Sequence, residues 1–220
     1  MACSESRAPK GKEASATIID VVYKGSVIDG SGTDDLGLFG PAGASLVGDS
    51  FVVTFEIDTS KGIPRFTATE NCIRGGSLYG VDSPMLSATL EINGKAADVG
   101  TGLSDSVQSF LGQPGVANQH SHGASSASSS ILLDVINANL ASVGNIPFTI
   151  DVPLTFNFDS SVSGGGEAFF NVGATGTSLS LSPTHLIYQY PSSDRVVPER
   201  SNWATMLLGF LGLGYAGYRK

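Results

Sequence analysis

Residues 50–58 read SFVVTFEID. Phe51, Val53, Phe55 and Ile57 fall on one side of an extended chain, with Val52, Thr54 and Glu56 on the other. A period of two marks a half-buried β-strand, because successive side chains of a strand point to opposite faces of its sheet. Upstream, residues 17–27 (TIIDVVYKGSV) are rich in β-branched side chains and meet no Pro or Gly before Gly25, so they form a second strand. Between the two, residues 29–49 carry glycine at 30, 32, 37, 40, 43 and 48, which is loop chemistry.

Downstream, a break at Lys61-Gly62-Ile63-Pro64 precedes a short strand at 65–69 and a turn at Gly75-Gly76. Residues 85–92 and 95–99 flank Asn93-Gly94, and both turn residues tolerate the positive φ of a type I′ hairpin. Residues 131–137, 148–158, 168–172 and 178–190 supply further strands; 131–140 fits a short helix equally well, and Pro153 marks an edge or a bulge. Residues 113–130 hold serine at 121, 125, 126, 128, 129 and 130, a low-complexity stretch expected as a mobile loop. Short strands joined by glycine-rich turns predict an all-β chain, an antiparallel β-sandwich or jelly roll.

Composition agrees. Only 15% of the 220 residues are charged and 28 are glycine, a poor recipe for long solvated helices. Residues 1–193 carry 8 Lys+Arg against 18 Asp+Glu, a net of −10, whereas residues 194–220 carry 4 against 2, a net of +2. An acidic body repels DNA and RNA, which excludes nucleic acid as a partner. Cys3 and Cys72 stand far apart, and the pair implies neither a disulfide framework nor a metal cluster; an incidental Cys3 and an ordinary buried or free Cys72 are expected.

The ends are unlike the middle. Residues 1–15 are polar, an arm or a remnant leader, and Ala14-Ser15-Ala16 has the small-x-small form of a signal-peptidase site. The β domain is expected over 16–190 and a polar linker over 191–196. From 203 to 218 the chain reads WATMLLGFLGLGYAGY without a charge and stops at Arg219-Lys220. As a helix this span is about 24 Å long at 1.5 Å per residue. That is short for a hydrocarbon core of about 30 Å, but workable with interfacial aromatics and a basic end. Trp203, Ala204, Met206, Leu207, Leu208, Phe210, Leu211, Leu213 and Tyr218 would form the membrane span, with Arg219 and Lys220 as the basic stop.

Val197-Pro198-Glu199-Arg200-Ser201-Asn202-Trp203-Ala204, an apolar span and a basic pair, in that order, resemble the PEP-CTERM sorting tail over residues 197–220. The resemblance implies export, retention at the inner membrane by the helix at about 203–218, and cleavage by an exosortase near Val197, Pro198 and Glu199. It also implies a Gram-negative bacterium that makes exopolysaccharide, a possible partner of the body. The family motif is Pro-Glu-Pro; here Arg200 stands in place of the second proline, a change expected to weaken or remove processing. The same tail type occurs on some ice-binding proteins and says nothing about ice. Residues 17–58, with SGTDDLGLFG and GDSFVVTFEID, resemble more loosely the bodies found ahead of such tails.

Other constellations are weaker. Gly212, Gly214 and Gly217 satisfy G-x-G-x-x-G, but the chain ends three residues later with no second strand or ribose acid. Gly48-Asp49-Ser50 resembles the nucleophile block of the GDS(L) lipases, yet His185 follows Ser182-Pro183-Thr184 and not the required Asp-x-x, so no base is expected for Ser50. Asp29, Asp34 and Asp35 sit among glycines and are weak candidates for holding Ca²⁺. His120 and His122 lie in the serine-rich stretch and are expected in solvent. A non-catalytic binding or structural body is expected; a polysaccharide hydrolase on the same scaffold and an uncleaved single-pass membrane protein are the alternatives.

Overall fold

A computed structural model describes residues 18–66, 70–99, 103–113, 116–127, 133–142, 154–157, 162–172 and 175–191. Among them the regular structure is thirteen strands and one 3₁₀ turn at Ser77–Tyr79. The strands are β1 (Ile18–Asp34), β2 (Ala44–Ser45), β3 (Ser50–Asp58), β4 (Ile63–Phe66), β5 (Glu70–Gly75), β6 (Met85–Ile92) and β7 (Lys95–Asp98). They continue as β8 (Leu103–Gln113), β9 (Val116–Ala127), β10 (Leu133–Ser142), β11 (Leu154–Asn157), β12 (Val162–Val172) and β13 (Thr175–Gln189). The described chain is therefore all-β, and its strand pairs are antiparallel.

One sheet runs β4-β5-β8-β9-β10-β12-β13-β1-β3-β6-β7, with β2 added on β1 and β11 on β13. The path doubles back, since β6 meets β8, β9 and β10 across the interior. Alternation decides which side chains fill that interior. On β3, Phe51, Val53, Phe55 and Ile57 are buried while Ser50, Val52, Thr54 and Glu56 face outward. They pack with Val21 and Tyr23 of β1, Leu90 of β6, Ile136 and Leu140 of β10, and Leu181 and Leu186 of β13. Each fully buried side chain of this size contributes about 1.5–3 kcal/mol of hydrophobic stabilisation. The β6–β7 hairpin turns through Asn93 at φ 54° and Gly94 at φ 72°, the left-handed pair that a type I′ turn needs.

Three expectations are corrected. Residues 29–34 continue β1 instead of opening a loop. Residues 116–127, expected as a serine-rich loop, are strand β9, hydrogen-bonded on both sides by β8 and β10. Two neighbouring strands satisfy its backbone, and that context outweighs weak composition. Residues 133–142 are strand and not helix, for the same reason. Of the strand expected at 148–158, Leu154–Asn157 forms β11 and residues 148–153 lie outside the described residues.

By compactness the chain divides into Met1–Tyr190 and Pro191–Lys220. Among the described residues no helix is long and apolar enough to cross a membrane. The arm at 1–15 and the tail at 197–220 lie outside them.

Candidate functional site

Strand β1 is the axis on which the chemistry-bearing side chains are arranged. Its inward face carries Tyr23, whose hydroxyl lies 2.7 Å from Nδ1 of His122 on β9. The ring of His122 sits 5.6 Å from Tyr23, 5.8 Å from Phe55 and 5.9 Å from Tyr188, centroid to centroid. All four side chains are buried, which corrects the expectation of a solvated His122. Its neighbours on β9 alternate, with Ala124 buried and Ser121, Gly123 and Ser125 half-buried, so strand geometry turns the imidazole inward. Burial pushes the Tyr23 phenol well above its ordinary pKa, and burial followed by the neighbouring Tyr23 does the same to Tyr188. Both tyrosines therefore stay neutral and the cluster acts as a polar rivet between layers.

At the far end of β1, Asp34 is buried. Its carboxylate accepts the N–H groups of Leu38 at 2.8 Å, Phe39 at 2.7 Å and Gly40 at 2.8 Å, and the Thr177 hydroxyl at 3.2 Å. Burial, the largest influence, pushes its pKa up, but the Phe39, Leu38 and Gly40 amides and Thr177 outweigh it and hold the carboxyl below 3.8. The bonded loop delivers Phe39 to the core, edge-on to Phe170 at 6.1 Å. Asp29 and Asp35 are exposed. Among the described residues no group of three His, Cys, Asp or Glu could hold a metal ion. Asp34 anchors a loop.

The outward face of β1 carries a groove of about 580 Å³ lined by Lys24, Gly25, Ser26, Ser50, Thr184 and His185, with Phe51, Val52 and Ile187 completing it. Its origin is a register shift: Lys24 pairs with His185 but Gly25 pairs with Pro183, so Thr184 is an extra residue on β13. A bulge of this kind re-aims side chains. Here Thr184 and His185 are both exposed, although consecutive, between buried Pro183 and Leu186. Gly25 is required, because a Cβ there would lie 2.0 Å from the Ser182 carbonyl oxygen. Thr184 Oγ1 lies 3.3 Å from the Lys24 carbonyl oxygen and 2.8 Å from His185 Nδ1.

The groove brings Ser50 and His185 together on one surface, which their sequence positions did not reveal. Ser50 is on β3 and His185 on β13, with β1 between them, and strand spacing sets the two backbones about 9.6 Å apart. A serine–base hydrogen bond needs about 2.6–3.2 Å. Sequence reading also passed over Lys24, Ser26 and Thr184. A signal was present, for a glycine and a proline inside otherwise regular strands mark a bulge, and Gly25 and Pro183 are paired.

Cys72 on β5 is buried and disulfide-bonded, its partner lying outside the described residues. This corrects the expectation of an ordinary or free thiol; spatial approach and not sequence separation decides pairing. Val197, Pro198, Glu199, Trp203 and the remaining tail residues through Lys220 also lie outside the described residues. No family model, curated protein or solved structure matches this chain.

Proposed function

We propose that this chain is an exported bacterial surface or matrix protein, sorted through its PEP-CTERM-like tail, whose β body binds or builds and does not catalyse. The observation that carries the reading is the order of parts after the last strand: Pro198-Glu199, sixteen uncharged residues over 203–218, then Arg219-Lys220. A helix of that span is retained by a bilayer and its basic end stays in the cytoplasm. The tail would hold the protein at the inner membrane of a Gram-negative cell until an exosortase releases it to the surface.

The double-layered body is that of a β-sandwich or jelly roll, a reading supported by the Tyr23–His122 bond between β1 and β9. A non-catalytic role is supported by the two-strand separation of Ser50 from His185. A second reading, an uncleaved single-pass anchor, is favoured by Arg200 in place of the motif's second proline.

Fractionation of a bacterium carrying epitope-tagged protein, with and without its exosortase, tests both. Release in the wild-type strain and retention at the inner membrane in the deletion strain supports sorting. Membrane retention in both strains supports the permanent anchor. Soluble cytosolic protein with an intact tail in both strains overturns both readings.

A further inference from the structure

The groove at the β1–β13 bulge has a chemistry unlike the rest of this acidic chain. With 20 Asp+Glu against 12 Lys+Arg overall, no carboxylate lines it among the described residues, whereas Lys24 and His185 both do. Two other cations are engaged elsewhere: Lys61 lies 3.8 Å from Asp58, and Arg74 sits 4.6 Å above the Tyr79 ring. Beside Lys24 and His185 stand the hydroxyls of Ser26 and Ser50, which are paired residues on adjacent strands. Adjacent strands lie about 4.8 Å apart, a spacing that lets two hydroxyls serve neighbouring groups of one ligand.

The bulge also fixes how His185 is presented. Thr184 has one hydroxyl proton, and the Lys24 carbonyl at 3.3 Å takes it. In the 2.8 Å contact the Thr184 oxygen must then accept, so Nδ1–H of His185 is the donor. Nε2 is the ring atom left for a ligand.

We propose that this groove binds an acidic sugar unit of a polysaccharide, its carboxylate held by Lys24 and its hydroxyls by His185 Nε2, Ser26 and Ser50. Hydroxyl side chains donate and accept, as sugar hydroxyls do. One cationic group, the Lys24 ammonium, selects a carboxylate through a charge-assisted hydrogen bond. The volume of about 580 Å³ suits a small ligand or one to two rings of a longer chain. The proposal rests on reading the β body as a binding domain, but it is read on purified protein and sorting is read in cells, so either can fail without the other.

The test is calorimetric titration of the full chain in detergent micelles with tetragalacturonate, its methyl ester and sodium acetate. The ester keeps the hydroxyls without the charge, and acetate keeps the charge without the hydroxyls. The acid should bind at least about tenfold more tightly than either, since the ester loses a charge-assisted hydrogen bond and acetate loses the hydroxyl bonds. Lys24→Met should weaken the acid about five- to tenfold, and His185→Gln and Ser26→Ala each about threefold, with thermal unfolding unchanged. In the wild-type chain, tetragalacturonate should shift the amide resonances of Lys24, Ser50 and Thr184, a readout independent of any variant. Equal affinity for acid and ester, equal affinity for acid and acetate, no binding of the acid, or shifts confined to other strands would each overturn the proposal.

Discussion

His122 and His185 each meet a hydroxyl oxygen at Nδ1, Tyr23 at 2.7 Å in one case and Thr184 at 2.8 Å in the other. Their surroundings differ in every other respect. His122 is 1% exposed and is touched by the rings of Tyr23, Phe55 and Tyr188. His185 is exposed at a bulge and lines a groove beside Lys24. A hydrogen-bonded imidazole buried among aromatics ties layers together, because exposing its partner inside a dry core is costly. The same bond at the surface orients a ring whose other nitrogen meets solvent or ligand.

The largest effect expected from this contrast is on stability. His122→Ala opens a cavity between three aromatic rings and strips the Tyr23 hydroxyl of a buried partner, a loss of about 3–5 kcal/mol. His185→Ala should stay within about 0.5 kcal/mol. Urea unfolding of both variants measures the difference, and comparable losses would erase the distinction.

Aspartates repeat the contrast. Asp34→Ala leaves one buried and two part-buried N–H groups without their acceptor and should cost about 2–3 kcal/mol, whereas exposed Asp35→Ala should fall within about 0.5 kcal/mol. The pH dependence follows from the lowered pKa of Asp34. The unfolded chain takes up a proton near the ordinary value of 3.8 while the folded carboxylate resists it to lower pH. Its stabilisation is therefore present above about pH 4 and is lost as pH falls through the folded pKa. Acid unfolding of Asp34→Asn should lack that limb.

In alkali the sign reverses. The folded chain keeps the Tyr23 and Tyr188 protons past the ordinary value of 10.0, whereas the unfolded chain releases them there. Stability is full below about pH 10 and falls above it, by up to about 1.4 kcal/mol per pH unit for each tyrosine. Unfolding of wild type and Tyr23→Phe between pH 9 and 11.5 should show a shallower slope in the variant. Identical slopes would remove Tyr23 from the buried cluster.

The smallest effect tests whether the rivet is a pair. Tyr23→Phe combined with His122→Phe removes both polar partners while keeping bulk, and should cost about 1–2 kcal/mol less than the sum of the single changes. Additive losses would make Tyr23 and His122 independent packing residues.

Much of the sheet was legible because alternation is local. SFVVTFEID announces its buried face residue by residue, and Asn93-Gly94 announces its turn. Strand β9 was not legible, since its serines and histidines resemble a loop until β8 and β10 flank it. The groove was half legible: Gly25 and Pro183 signal an irregular strand, but nothing local says that the two irregularities face each other.

By itself, the amino-acid order determined an all-β body, its β6–β7 hairpin and a charge-free stretch between Pro198-Glu199 and a terminal basic pair. Those features depend on neighbours a few residues away, where side-chain period and backbone preference act. Only the tertiary structure decided that His122 enters the core, that Asp34 ties down a loop, and that Lys24, Ser50 and His185 share one groove. Each depends on the register of strands distant in sequence, and a shift of one residue would turn those side chains to the opposite face.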